Sequence, residues 1–436
     1  MARKNTRTPL NIYLNGRLVG RLQRETSGAI DFQYDDSWLS WDQTFPVSLS
    51  LPLREDRYIG TPVIAVFDNL LPDNEDIRRR VAARSDADGI DSYSLLSAIG
   101  RDCVGAMQFL PDGIDPGKAG EITSVPISAG DIAKTLANLA AAPLGIGDDK
   151  EFRISIAGAQ DKTALLRIGD KWHVPHGTTA TTHILKPQIG QRDSYDLTRS
   201  VENEHMCLEI LAALNLPVAK TTIADFENTR ALVIERFDRQ WTTTGRLLRV
   251  PQEDCCQALS FPPTRKYQAD GGPGMTAIFD FLKASDDPAN DQLIFMKAQI
   301  AFWLLGAIDG HAKNFSVFQH PGGGFRLTPL YDVMSAQHLL DDRSLQRKNM
   351  KLAMSVGDNN HYRIHEIQPR HFQQTATRAG LADGMVELAL SQVSDALPDA
   401  IANVCRSLPD GFPQDLRDTI AEGALKRCGK ITAAAL

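Results

Sequence analysis

The sequence predicts an α+β protein whose chain alternates strand-rich and helical regions and ends mainly helical. Three observations predict it. Short apolar stretches broken by Asn-Gly, Ser-Gly and Gly-Asp turns occupy residues 10–34 and recur within 151–250. Apolar residues at helical spacing dominate beyond residue 275. A chain of 436 residues with 42% hydrophobic content is long enough for two or three domains.

The elements follow in order. Leu10, Ile12 and Leu14 alternate with polar neighbours, and Asn15-Gly16 predicts a type I′ hairpin into Leu18-Val19-Gly20. Ser27-Gly28 predicts a second turn before Ile30–Tyr34. A helix is expected over Thr61–Leu71, closed by Pro72. A polar, Pro/Gly-rich stretch covers 111–120, and a helix is expected from Ala129 to Ala142. The loop 143–149 suggests a boundary, giving domains 1–148 and 149–436, the second strand-rich over 149–250 and helical over 251–436. Strands are expected at Thr163–Ile168, Trp172–Val174, Thr182–Lys186 (ended by Pro187) and Arg230–Phe237, with a helix at Val201–Leu214. Beyond 275 the exceptions to helix are Phe315–Phe318 and Phe325–Leu327, which flank Pro321-Gly-Gly-Gly324 like a short hairpin.

Composition excludes several classes. Charged residues at 23% describe an ordinary globular chain, not a disordered one. The formal net charge of −7 argues against a globally basic nucleic-acid binder. The six cysteines form no C-x-x-C pair, which fits reduced thiols in a cytoplasmic protein. The ten histidines show no H-E-x-x-H pattern, so zinc chemistry is not expected. Met1-Ala-Arg-Lys-Asn-Thr-Arg is basic without an apolar segment behind it, so no secretory signal is expected. The longest apolar run, Ile300–Ile308, is far shorter than the ~20 residues that span a bilayer.

The chemistry concentrates in Asp309-Gly-His-Ala-Lys-Asn314 and Tyr331-Asp332. One carboxylate can accept the proton of a hydroxyl nucleophile, and an amide oxygen with a second carboxylate can hold Mg²⁺ against the phosphates of ATP. Asp309 is the expected base, and Asn314 and Asp332 the expected metal ligands. Asp309 follows the apolar run and is expected at a buried helix end. Read singly, Asp309 is equally a helix cap, Asn314 a hairpin-turn residue and Asp332 a loop residue. Together, behind a lysine and a small-residue loop, the phosphotransfer reading wins. His311 either contacts phosphate or shapes the loop.

The remaining parts are weaker alone. Ser155-Ile-Ala-Gly-Ala-Gln-Asp-Lys162 has small residues at Ala157, Gly158 and Ala159, where backbone N–H groups can approach an anion, but it is neither G-x-G-x-x-G nor a Walker loop. Lys162 holds phosphate or is a solvated turn residue. Lys186 ends an apolar strand, either as a phosphate-binding lysine or as a strand-end lysine in water. Its expected ion-pair partner is Glu204, with Glu202 as rival. The backbone at Glu235-Arg236-Phe237 can meet an adenine edge with Phe237 on the ring, or Phe237 packs in the core. Asp254, in Pro251-Gln-Glu-Asp254, caps a helix or faces a cleft, and support is the preferred reading.

Nearly end to end, the chain resembles the HipA toxins of bacterial toxin–antitoxin modules. The resemblance is carried by Phe67-Asp-Asn-Leu-Leu-Pro72, Ile99-Gly-Arg-Asp-Cys-Val-Gly105, the 155–165 segment, Thr182–Lys186, Val233–Asp238, Pro251–Asp254, Asp309–Asn314 and Leu327–Asp332. It implies a serine/threonine kinase with a small N-terminal α/β domain and a larger, mainly helical kinase-like domain with a strand-rich N-lobe portion. It implies ATP and Mg²⁺ as cofactors. Its implied ATP-site residues are Ala157, Gly158, Ala159, Gln160, Asp161, Lys162, Lys186, Glu235, Arg236, Phe237, His311, Ala312, Lys313, Asn314, Tyr331 and Asp332, with Ser155 the autophosphorylated serine. The implied substrate is glutamyl-tRNA synthetase or another translation component, and the implied consequence is growth arrest and persistence. The implied partner is a dimeric helix-turn-helix HipB-type antitoxin, which would bring a cytoplasmic, bacterial chain to operator DNA and the nucleoid. In the segment corresponding to a DNA-touching helix, only Arg370 and Arg378 are basic among charge-poor neighbours, so direct DNA contact is doubtful. Two rivals remain: a kinase of a small molecule or lipid head group, and a non-catalytic corepressor partner of a DNA-binding protein.

Overall fold

The computed structural model describes residues 9–146, 154–158 and 160–434. The basic N-terminal residues 1–7, residues 147–149 of the expected boundary loop, and Ala159 of the small-residue loop lie outside the described residues. The protein is α+β and divides into two compact units, Met1–Pro187 with Ala224–Thr264 and Val317–Phe325, and Gln188–Ile223 with Arg265–Ser316 and Arg326–Leu436.

The first unit holds two large sheets and a short antiparallel pair, Arg239–Trp241 with Leu247–Arg249. One has five strands in the order Tyr58–Ile59, Ile30–Tyr34, Arg17–Arg24, Leu10–Leu14, Met107–Pro111, all antiparallel. Asn15 and Gly16 both take positive φ, 46° and 80°, as a type I′ hairpin requires. The alternating residues Ile12, Leu22 and Phe32 are fully buried, and Phe67 meets Phe32 and Phe109 edge-on at 5.5 and 5.6 Å. Phe67 comes from the helix Thr61–Phe67, which tightens to a 3₁₀ turn over Asp68–Leu70 before Pro72.

The second sheet runs Thr221–Phe226, Thr229–Glu235, His183–Pro187, Thr163–Ile168, Lys171–Pro175, Ser124–Pro126. A helix, Ala129–Ala137, covers it through Ile132 and Leu136, which pack with Leu165, Leu185 and Val233. That helix stops short of the expected Ala142. Asn138 leaves helical geometry (φ −98°, ψ 5°), and Pro143 disfavours a helical Ala142. The two cores interleave: Leu144, Ile146, Ile154 and Ile156 join the core of the first sheet. Compactness therefore places no cut near residue 148, and the division 1–148 and 149–436 stands as a proposal.

A buried ionic cluster ties these segments together. Asp102 lies 2.8 Å from Arg239, 2.8 Å from Arg249 and 3.4 Å from Arg236. Asp238 lies 2.7 Å from Arg236 and 3.0 Å from Arg239. All five side chains are at most 4% exposed. Thr181 and the Gly105 N–H donate to the two carboxylates as well, so the charges are hydrogen-bonded as burial demands.

The second unit is mainly helical. Helix Pro288–Leu305, N-capped by Asp287, is its buried axis, with Phe295, Met296, Ile300 and Trp303 fully enclosed. Helices Ser200–Ala213, Met385–Ser407 and Gln414–Ala434 pack against it. Two hairpins interrupt the helices. One is Gly190–Arg192 with Tyr195–Leu197, and the other Lys351–Val356 with His361–Arg363, which the sequence pattern did not reveal. The expected strands Phe315–Phe318 and Phe325–Leu327 form as Ser316–Gln319 and Phe325–Leu327, of which the stretch Val317–Phe325 belongs to the first unit.

Candidate active site

In the first unit, the small-residue loop is braced by its own lysine. Lys162 Nζ donates to the Ala157 carbonyl at 2.8 Å, and only 6% of Lys162 is exposed. Gly158 has φ 112°, so the loop needs glycine for its conformation, and a Cβ there, 2.5 Å from Lys162 Nζ, would displace the lysine head. Gln160 Nε2 donates to the Pro187 carbonyl at 3.1 Å, fastening the loop to the strand that carries Lys186. Lys186 pairs in register with Leu232 and is 5% exposed, so the reading of a lysine in open water is excluded. Asp161 is half-buried. Ser155 is fully buried and its Oγ donates to the Leu70 carbonyl at 2.7 Å.

Glu235 is exposed at the strand end. The Arg236 guanidinium is taken up by the ionic cluster, and the residue's backbone N–H donates to the Thr182 carbonyl. Phe237 meets Phe318 edge-on at 5.7 Å. Asp254 is a helix N-cap with a full capping box to Gln257, a supporting role. Its neighbour Glu253 is fully buried and accepts from Ser48 Oγ at 2.5 Å, the Leu49 N–H at 2.7 Å and Gln319 Nε2 at 3.1 Å.

In the second unit, helix Pro288–Leu305 ends at Gly306, whose φ of 70° supplies a left-handed cap. Asp309 therefore lies past the helix, in a loop, with 53% of its side chain exposed. This corrects the expected buried helix end, and a base in contact with an incoming hydroxyl needs that exposure. Gly310 sits so close to the Phe302 ring that a Cβ would come within 2.5 Å of it. Asn314 is buried in a 3₁₀ turn, Ala312–Asn314, not in a hairpin turn. Its Nδ2 donates to the Asp309 carbonyl at 2.7 Å, and its N–H to the His311 carbonyl at 2.9 Å. His311, Ala312 and Lys313 are all buried.

The Tyr331 hydroxyl stands 2.9 Å from the Lys313 carbonyl and 2.6 Å from Ser316 Oγ. It thus joins the Asp332 segment to the Asp309–Asn314 loop. Asp332 takes φ 58°, a left-handed conformation that Asp tolerates. Three residues on, Ser335 accepts and donates backbone bonds with Asn203, both at 2.8 Å, which anchors the segment. On helix Ser200–Ala213, Glu202 accepts from Gln188 at 2.6 Å while Glu204 is 1% exposed. Arg370 and Arg378 are exposed on helix Pro369–Ala379.

One residue escaped the sequence reading. The Tyr267 hydroxyl donates to Asp309 Oδ1, and its ring meets His311 edge-on at 4.9 Å. Tyr267 lies far from Asp309 along the chain and in no recognised motif. The only local signal is the Gly-rich Gly271-Gly-Pro-Gly274 that follows it.

The HipA-like C-terminal domain family matches residues 154–401, and the HipA N-terminal domain family matches residues 10–110. The chain is a kinase of the HipA-like family. It is 33% identical to the putative kinase Y4mE of Sinorhizobium fredii over 94% of each chain. It is 28% identical to the serine/threonine-protein kinase toxin HipA of Shewanella oneidensis, over 92% of this chain and 90% of that one. Among solved structures, the HipA of S. oneidensis in a complex with HipB and its operator DNA superposes with a TM-score of 0.82 at 25% identity, covering 97% and 98% of the two chains.

The donor set of this HipA-like chain fits Mg²⁺. Among the described residues no cluster of three or more His, Cys, Asp or Glu side chains could hold a metal. Asn314 and Asp332 offer hard oxygens, and Mg²⁺ favours one or two protein oxygens with phosphates and water completing its shell. Because Nδ2 of Asn314 is turned to the Asp309 carbonyl, its Oδ1 is the atom that remains for a cation. Among the described residues no helix is long and apolar enough to cross a membrane.

Proposed function

We propose that this HipA-like chain is an ATP- and Mg²⁺-dependent serine/threonine protein kinase acting as the toxin of a toxin–antitoxin pair. The observation that carries the reading is the lock between Asn314 and the Asp309 backbone. It fixes the spacing between an exposed carboxylate and a hard oxygen ligand. Asp309 accepts the proton of the acceptor hydroxyl as that oxygen bonds to the γ-phosphorus and the bond from that phosphorus to the departing ADP breaks. Asn314 and Asp332 would hold Mg²⁺. Gly158, Gln160, Asp161 and Lys162 would cradle phosphate, with Lys186 as the phosphate-binding lysine. The 235–237 backbone would meet the adenine through atoms other than the Arg236 N–H. When bound, Mg-ATP supplies the transferred phosphoryl group and the charge that neutralises it.

The acceptor proposed is a translation component, with glutamyl-tRNA synthetase the first candidate. The relationship to a HipA solved with HipB and operator DNA supports a helix-turn-helix antitoxin as partner, a cytoplasmic and nucleoid setting, and DNA contact mainly through that partner. The exposed Arg370 and Arg378 are the residues available for any direct contact. Ser155 is the proposed autophosphorylation site. Its burial means that its loop must leave the Leu70 carbonyl before modification. A phosphate of about −1.5 to −2 charge would then bar its return.

The test uses the full chain with Mg²⁺ and radiolabelled ATP. Label is expected on purified glutamyl-tRNA synthetase and on the chain itself, and the Asp309→Asn variant should lose at least about 100-fold in rate. Label found on lysate metabolites instead of protein would replace this reading with a small-molecule kinase. An Asp309→Asn enzyme as fast as wild type would remove the base.

A further inference from the structure

We propose that Tyr267 is a positioning residue for phosphoryl transfer. It holds one oxygen of the Asp309 carboxylate so that the other faces the incoming hydroxyl. The inference rests on the reading of Asp309 as base. A carboxylate whose side chain is 53% exposed can rotate freely about its last bond unless something pins it. The Tyr267 hydroxyl pins it by donating to Oδ1. This leaves Oδ2 to take the acceptor's proton.

Tyr267 is itself braced by its neighbours. Its ring meets His311 edge-on at an interplanar angle of 86°, and the adjacent Lys266 carbonyl accepts from the Ala312 N–H. On the other side, Gln268 exchanges two hydrogen bonds with Ser355, at 2.7 and 2.9 Å. Gly272 is packed so tightly against the Arg265 and Tyr267 carbonyls that the site admits no Cβ, and a Cβ at Gly274 would push on the Gln268 amide. Such bracing suits a fixed strut. It does not suit a gate that swings away, nor a phenol that competes for the position of the acceptor hydroxyl. A charge-assisted bond held in place before the reaction also removes reorganisation from the chemical step.

Tyr267→Phe keeps the ring on His311 and deletes only the hydroxyl. With the full chain, Mg-ATP and glutamyl-tRNA synthetase or the chain itself as acceptor, kcat should fall about tenfold or more, while KM for ATP stays unchanged. Tyr267→His, which retains a donor, should recover part of the loss. A Tyr267→Phe enzyme with unaltered kcat overturns the inference, and one with raised activity shows a competing phenol instead. Asp309→Asn, run in parallel, separates the two claims. If it stays active, the base itself is wrong. If it is dead while Tyr267→Phe is normal, only the strut is wrong. A wild-type chain that labels neither acceptor overturns both.

Discussion

The side-chain amide of Asn314 donates to the backbone carbonyl of Asp309, 2.7 Å away. On the proposed reading one residue does two jobs: its nitrogen fixes the loop that presents the proposed base, and its oxygen would be left for a cation. Asn314→Ala deletes both and should lower phosphorylation by about 10–100-fold. Asn314→Asp restores an oxygen ligand but sets an anion against the Asp309 carbonyl, so it should recover only part of the rate. A magnesium titration of the labelling rate checks this. Equal rates for Asn314→Ala and wild type at every magnesium concentration would falsify the assignment.

Gly158→Ala should weaken nucleotide binding. The site has φ 112°, and the added methyl would drive Lys162 Nζ off the Ala157 carbonyl. Strain of about 1–3 kcal/mol at such a position corresponds to about 5- to 150-fold in affinity. Calorimetric titration with a non-hydrolysable ATP analogue measures it, and unchanged affinity would show that this loop does not hold phosphate.

Asp102→Asn should be strongly destabilising. Burial by itself would raise the Asp102 carboxyl, but Arg239, Arg249 and Arg236 outweigh it and hold the group well below the usual carboxylate range. Removing the anion leaves three buried guanidinium groups facing Asp238 alone, a loss of about 3–5 kcal/mol. The depressed folded-state value also sets a sign. The carboxylate stabilises the fold above its ordinary value of 3.8, and that contribution is lost as pH falls below it. Urea melts of the variant at neutral and acid pH should converge on wild type as the solution is acidified. A constant gap between them would refute the charge argument.

Glu253 carries the opposite sign. Burial pushes its carboxyl from 4.5 up to about 8, despite donors from Leu49 and Ser48 that favour the ionised form. The folded state holds the proton where the unfolded state releases it. Stability from this group is therefore complete below 4.5 and drains away as pH climbs to about 8. Glu253→Gln keeps acceptors for Leu49 and Gln319 and cannot ionise. Denaturation midpoints measured across that window should show the variant gaining on wild type as pH rises. A parallel pair of curves would mean that Glu253 titrates normally.

Much of this architecture was legible because local chemistry decides it. Asn15-Gly16 needs positive φ twice, so the hairpin could be read directly. Pro187 cannot extend a ladder and marks the end of the strand that bears Lys186. Asp254 and Gln257 stand at capping-box spacing. What escaped depends on residues far apart in sequence. Asp309 was expected at a helix end because apolar residues run through Ile308, yet Gly306 breaks the helix first. Tyr267 reaches Asp309 only after the chain has folded back. The strand Lys351–Val356 is buried along nearly its whole length, so it lacks the alternation that would have announced it. The interleaved cores of the first unit were invisible for the same reason: Ile154 and Ile156 look like the start of a new region in sequence but pack into the old one.

The Asp102 cluster has a bearing on how such chains can be taken apart. One of its two anions, Asp102, comes from the segment matched by the N-terminal family, whereas Asp238, Arg236, Arg239 and Arg249 come from the segment matched by the C-terminal one. A fragment that begins at residue 149 would expose three cations with a single counter-ion, and a fragment that stops at 148 would strand a lone buried acid. Neither half would keep the cluster's charge balance by itself. Gene fission, limited proteolysis or piecewise expression at that boundary should yield aggregates unless both pieces are refolded together.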